Sequence, residues 1–172
     1  MDPFSTEGEL INIHTHFHQA QYQAVIDYDT TPFSAENALP ARLLQLRARI
    51  AQGSDAADAV ATELEHELKD TGTGTAGSEL RAALALALVA SGRRVSDGIA
   101  LAERLVSEVD GPGSEENGAV LILLGSALVG AGRLDEALAL LAKHQGNSEY
   151  YGGTREMRGV WLMIMCVYVW SS

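Results

Sequence analysis

Residues 124–141, LGSALVGAGRLDEALALL, contain two apolar helical stripes separated by a short glycine-rich turn. Gly125 has no side chain, which lets the first helix approach the second closely. Ala137 is small at the point in the second helix where a larger residue would clash. Gly132 lies between the stripes and favours a tight turn, because helices often end in a left-handed residue. The stretch therefore predicts a helix–turn–helix pair.

The same turn recurs along the chain. Gly53, Gly92 and Gly132 each separate two helical segments, at intervals of 39 and 40 residues, and Ala20 occupies the equivalent place 33 residues before Gly53. Helix–turn–helix units at such intervals are typical of an α-solenoid. The last unit has the order and spacing of the tetratricopeptide pattern. We therefore predict an all-α fold, a tetratricopeptide-like α-solenoid of about four helix pairs.

Breaks in the helical periodicity set the limits of the predicted helices. Pro32 interrupts the chain after the first pair, and Ser34 with Asn37 provides capping chemistry for a new start. Residues 71–78, TGTGTAGS, have the composition of a flexible loop. After the first pair, the stripes predict helical segments over residues 40–53, 54–70, 79–92, 96–110, 114–132 and 133–146.

The two ends of the chain differ from this repeat pattern. We expect residues 1–6 to be disordered, residues 7–147 to form the helical repeats, and residues 148–172 to be an atypical apolar segment. The first ten residues are acidic and lack an apolar run, so they do not predict a secretory signal. Residues 154–170 predict a helix that is apolar on nearly every side, which favours folding back or self-association.

Charge and composition limit the classes of function. The net charge of −11 argues against nucleic acid and anionic lipid as direct partners, because both are bound by basic surfaces. The longest apolar run, residues 160–170, is shorter than the roughly 20 residues that a membrane-spanning helix needs. The single cysteine, Cys166, fits a reducing compartment, and its apolar neighbours predict a buried thiol rather than a nucleophile.

Three alternating histidines suggest a metal site. The His-x-His pattern of His14, His16 and His18 resembles the strand that opens metal-dependent amidohydrolases. On a helix, however, His14 and His18 share a face while His16 points elsewhere, and the surrounding apolar spacing is helical. The only other histidines, His66 and His144, lie in helical segments, and no strand–helix alternation is present. We predict helix-surface histidines with no metal or cofactor, and keep the amidohydrolase-like enzyme as the weakest alternative.

A group of carboxylates suggests acid–base chemistry. Glu63, Glu65, Glu67 and Asp70 lie close together in the chain, but residues two apart are separated around a helix. A charged face in contact with solvent is the simpler interpretation. The sequence therefore predicts no catalytic residues and no enzyme.

A further set of residues is concentrated at the two ends of the range 7–147: Glu9-Leu10, Phe17, Tyr22-Gln23, Ile26, Arg47-Ala48, Ala51-Gln52 and the turn from His144 to Gly146. In these residues the range resembles the coatomer epsilon subunit family, especially its fungal forms. The resemblance implies a non-enzymatic subunit of the COPI-type coat on Golgi-derived vesicles, supporting retrograde Golgi-to-ER and intra-Golgi transport. It implies the C-terminal region of the coatomer alpha subunit as partner, and a cytoplasmic protein held on Golgi membranes through its partners. A generic helical-repeat scaffold outside the coat is the alternative.

Overall fold

The structure, a computed structural model, describes residues 6–71, 75–109 and 118–144. Within these ranges the chain forms eight helices and no strand, so the all-α prediction is confirmed. The helices are α1 Thr6–His18, α2 Tyr22–Ile26, α3 Ala35–Ile50, α4 Ser54–Thr71, α5 Thr75–Ala90, α6 Val95–Val109, α7 Gly118–Gly130 and α8 Leu134–His144. Over the described helices, none is both long enough and apolar enough to cross a membrane.

The helices pack side by side in chain order. Each odd-numbered helix contacts the next odd-numbered helix, and each even-numbered helix contacts the odd-numbered helices before and after it in the chain. All the substantial contacts between described helices follow this rule. Elements distant in sequence, such as α1 and α7, therefore depend on the helices between them.

Left-handed residues occur at the four predicted turns. The φ angles are +56° at Ala20, +133° at Gly53, +70° at Gly92 and +77° at Gly132, and no other described residue has a positive φ. At Gly132 the N–H donates to the Val129 carbonyl, while the following N–H donates to the Leu128 carbonyl. This is a Schellman motif, which satisfies the carbonyl groups left free at a helix end. Ala20 is held in the same way, so the predicted turn positions are confirmed.

Helix α3 is shared between two hydrophobic clusters. Its residues Ala41, Leu44 and Ala48 pack with Ile13 of α1 and Val25 of α2. Another side of α3 packs with the larger cluster built from α4 to α8, through Leu43, Leu46 and Ile50. Because each cluster requires α3, the first helix pair is connected to the rest of the molecule mainly through this helix.

Small residues stand where paired helices approach most closely. A Cβ placed on Gly125 in α7 would lie 3.3 Å from Cδ1 of Leu141 in α8. In the preceding pair the glycine is on the second helix: a Cβ on Gly98 would lie 2.8 Å from Cγ2 of Val89 and 2.9 Å from the Ala85 carbonyl oxygen. The close approach predicted for Gly125 is confirmed, and Ala137 is buried as its size suggested.

Two predicted helical segments begin too late. Helix α3 begins at Ala35, directly after the predicted capping residue Ser34, so the segment predicted from Pro40 starts too late, and the helix continues through that proline, which has no N–H for a helical bond. Helix α5 begins at Thr75, within the predicted loop. Once a helix has nucleated, adding residues costs little, and one glycine costs only about 1 kcal/mol. The predicted disordered and apolar ends and the helix over 154–170 lie outside the described residues, except Thr6, which is helical.

The predicted cap of α3 also differs in its chemistry. Ser34 is the N-cap residue, but its side chain makes no capping bond to its own helix. Instead the Ser34 N–H, the Ser34 hydroxyl and the buried Asn37 amide all donate to Oε2 of Glu9, at 3.0, 2.9 and 2.8 Å. The capping acceptor is therefore a carboxylate supplied by α1.

Candidate partner-binding face

The four odd-numbered helices carry a row of equivalent residues. His14, Arg47, Leu86 and Ser126 each lie six residues before the left-handed turn residue of their pair. All four are partly buried. We call these four residues the odd-helix row. Since α1, α3, α5 and α7 contact one another in this order, the row follows the stack from end to end.

The orientation of α3 shows on which side of this helix Arg47 lies. The two core-facing sides of α3 point toward α1 and α2 and toward the larger cluster. Arg42 and Arg49 point to α4, where they pair with Glu67 and Glu63. At 3.6 residues per turn, Arg47 lies almost opposite Arg42 and Arg49. Arg47 is therefore on the side of α3 away from α4, next to Phe17 of α1 and Tyr22 of α2.

Arg47 is the charged member of this row. Its guanidinium carbon lies 4.6 Å from the centre of the Phe17 ring, a cation–π contact between α3 and α1. Burial lowers the pKa of Arg47 to about 10, and the neighbouring Tyr22 acts in the opposite direction. The side chain remains a cation at neutral pH. No carboxylate of a described residue lies within ion-pair distance of it.

Other arginines connect neighbouring helices. Arg81 of α5 pairs with Glu108 of α6 at 2.8 Å. The arginines that follow the turns pair with carboxylates of the preceding helix pair. Nη2 of Arg93 lies 2.7 Å from Oδ1 of Asp55 on α4, and Arg133 pairs with Glu103 on α6. Six described arginines have such carboxylate partners: Arg42, Arg49, Arg81, Arg93, Arg94 and Arg133. Arg104, exposed on α6, has no such partner either, so among the described arginines Arg47 differs in being partly buried without a carboxylate beside it.

The histidines occupy the helical positions that their spacing predicted. His14 and His18 stack on one side of α1 with ring centres 6.0 Å apart. His16 points elsewhere, and its Nδ1 lies 2.6 Å from Oε1 of Gln21. His66 is exposed on α4, and the His144 side chain lies outside the described part. Among the residues that the structure describes, no three His, Cys, Asp or Glu side chains are grouped to hold a metal ion.

The α4 carboxylates that are two residues apart lie on different sides of the helix, as predicted, and they keep contact with solvent while also making ion pairs that the sequence did not predict. Glu63 and Glu67 pair with arginines of α3. Glu65 lies on another side and pairs with Arg94 at 2.7 Å. These groups join helices, and each charge already has a cation beside it. Asp70, as a side chain, and Cys166 lie outside the described residues.

A cavity of about 350 Å³ lies at the other end of the stack, between α6, α7 and α8. Its walls combine the apolar Val106, Leu128 and Leu140 with Glu103 and Glu136. Both glutamates are bound by Arg133. The cavity therefore presents apolar surface but no unpaired charge that would select a ligand.

The sequence identifies Glu9 and Arg47 only as residues of the family resemblance, and it predicts neither the Glu9 bonds to α3 nor the contact of Arg47 with Phe17. Neither has a recognisable local motif, because their partners are on another helix. The position of Arg47 in the repeat could be read from the sequence: counting six residues back from each turn residue gives His14, Arg47, Leu86 and Ser126 as equivalent positions. Comparison of the chain with protein-family models, with curated proteins and with solved structures gives no match in any of the three.

Proposed function

We propose that this chain is a non-enzymatic tetratricopeptide-like α-solenoid that serves as a subunit of the COPI-type coat on Golgi-derived vesicles. Its partner is the C-terminal region of the coatomer alpha subunit, through which it supports retrograde Golgi-to-ER and intra-Golgi transport. The observation that supports this most is the order of helix contacts, in which every helix packs against its neighbours in the chain. Such stacking is what a solenoid requires.

The surface of the odd-numbered helices that carries the odd-helix row, which we call the odd-helix face, supports a binding role. In a solenoid, the helices on one side form an extended surface that suits an extended partner segment. Here the odd-helix row places Arg47, Leu86 and Ser126 at equivalent, partly buried positions on consecutive odd-numbered helices. An acidic chain of this kind reaches membranes through its partners rather than by adsorbing to anionic lipid.

The epsilon-subunit resemblance rests on residues that have structural roles in this fold. Phe17, Tyr22 and Ile26 pack around the cluster shared by α1, α2 and α3. Gln52 at the second turn donates to Oε1 of Gln23 in α2, at 3.1 Å. The matching positions thus form the junction of the first two pairs, which supports the proposal at the level of packing.

Titration of the purified C-terminal region of the alpha subunit into this chain tests the proposal. Isothermal calorimetry should give a saturable one-to-one complex. An unrelated helical-repeat protein of similar net charge is the control, because it separates specific binding from attraction to any acidic surface. Absence of a complex would overturn the coat assignment. The generic helical-repeat scaffold, which the same helix contacts support, would then replace it.

A further inference from the structure

We propose that Arg47, held against Phe17 at the junction of α1 and α3, binds a carboxylate of an extended, acidic partner segment. This inference deepens the proposed function, because it names the chemistry that the odd-helix face selects. It rests on the geometry of Arg47 and on the distribution of charge around it. The occupant is a peptide segment whose apolar residues contact the row and whose Asp, Glu or terminal carboxylate meets the guanidinium.

The position of Arg47 suits a binding residue. Arg47 is partly buried where α3 meets α1, and its guanidinium lies over Phe17. Phe17 is itself supported by the Tyr22 ring, with ring centres 5.9 Å apart. A guanidinium that is stacked and restrained in this way loses less conformational freedom on binding, and its planar fork matches a carboxylate.

The charge of Arg47 has no carboxylate partner among the described residues, although Phe17 and Tyr22 lie beside it. A charge that is partly removed from water costs free energy unless an opposite charge or hydrogen bonds compensate it. Six other arginines obtain carboxylates from neighbouring helices, while the group that favours the charged form of Arg47 is a tyrosine, Tyr22. The chain as a whole is acidic, at −11, so a cation on the odd-helix face is a local exception. A partner carboxylate would complete this site.

The neighbouring row residues indicate an extended occupant. Leu86 and Ser126 follow Arg47 on α5 and α7, at equivalent and partly buried positions. Both are uncharged: Leu86 also packs against the larger cluster, and the Ser126 hydroxyl donates to the Ile122 carbonyl, so the surface they leave to a partner is mainly apolar. The row as a whole therefore fits one carboxylate at the α1–α3 end, followed by a less polar stretch.

The test compares two variants in binding to the C-terminal region of the alpha subunit. Arg47→Met keeps most of the stem and removes the charge, and we expect it to weaken binding about tenfold or more, the usual effect of losing a charged hydrogen bond. Arg104→Met removes the same charge from an exposed position on α6 and should change affinity less than about twofold. Arg47→Lys should recover part of the loss. Wild-type affinity in Arg47→Met would overturn the inference.

A second measurement separates this inference from the proposed function and does not depend on any variant folding. The wild-type chain is titrated with a decapeptide of alternating leucine and glutamate, and with its glutamine counterpart. The NMR signal of the Arg47 Nε–H should shift with the glutamate peptide and not with the glutamine peptide. Equal shifts, or none, would overturn the carboxylate site whether or not the alpha-subunit region binds.

Discussion

The carboxylate of Glu9 joins α1 to the start of α3. Its Oε2 accepts from the Asn37 amide and from the N–H and hydroxyl of Ser34. These donors lower the pKa of Glu9 below its ordinary value of 4.5, with the Asn37 bond as the largest cause. Because the first pair is connected to the molecule mainly through α3, one carboxylate contributes to a junction between helices.

Replacing Glu9 should change the dependence of stability on pH. Its pKa is lower in the folded chain, so its contribution is present above the unfolded-state pKa and is lost as pH falls through the folded-state pKa. We expect Glu9→Gln to lower the free energy of unfolding near neutral pH, with a smaller difference at about pH 3. Urea unfolding at both values measures this, with the exposed Glu36→Gln as control. An equal loss at both pH values would contradict the assigned bonds.

Gly98 and Gly125 provide a matched pair of substitutions. Gly98→Ala would press a Cβ against backbone and a β-branched side chain, with the Ala85 carbonyl oxygen 2.9 Å away. Overpacking of this kind costs about 1–3 kcal/mol. Gly125→Ala meets the flexible end of Leu141 at 3.3 Å, and the better helix propensity of alanine offsets that contact, so we expect a change within about 0.5 kcal/mol. Urea unfolding of both variants is the measurement, and equal destabilisation would contradict the packing described.

At the turns between paired helices, two substitutions should change the free energy of unfolding in opposite directions. Ala20 has φ +56° and Gly132 has φ +77°. A side chain in this region costs about 1–2 kcal/mol. We therefore expect Gly132→Ala to destabilise the chain by about that amount, and Ala20→Gly to stabilise it by up to about 1 kcal/mol after the entropy of glycine is deducted. Thermal unfolding of both variants measures this, and shifts in the same direction would show that the turns are not equivalent.

These elements also show how far sequence can predict the fold. The turns were predictable because a left-handed helix end depends on the residue at that point and on the apolar stripes beside it. The acceptor at the start of α3 was not predictable, since it is Glu9, 25 residues before Ser34. The pairing of Glu63, Glu65 and Glu67 was missed for the same reason: their arginines come from other helices. The register identifies the Arg47 position, but only the packed helices show its surroundings.

At the scale of the whole molecule, contacts between neighbours determine stability. Each of the last three turns reaches back to the second helix of the preceding pair, through Gln52, Arg93 or Arg133. Ion pairs at partly exposed positions contribute only about 0–1 kcal/mol each. They therefore add little to the free energy of unfolding, and their main effect is on how one helix pair is aligned with the next. The buried leucines and alanines of the shared clusters supply most of the stabilisation.

The central claim is that the C-terminal region of the alpha subunit binds along the odd-helix face. Amide hydrogen exchange, followed by mass spectrometry with and without that region, tests it most directly. We expect exchange to slow most in α1, α3 and α5, around the row that contains Arg47, and to change less in α2, α4 and α6. Exchange unaffected by the partner, or slowed only in the even-numbered helices, would contradict this claim.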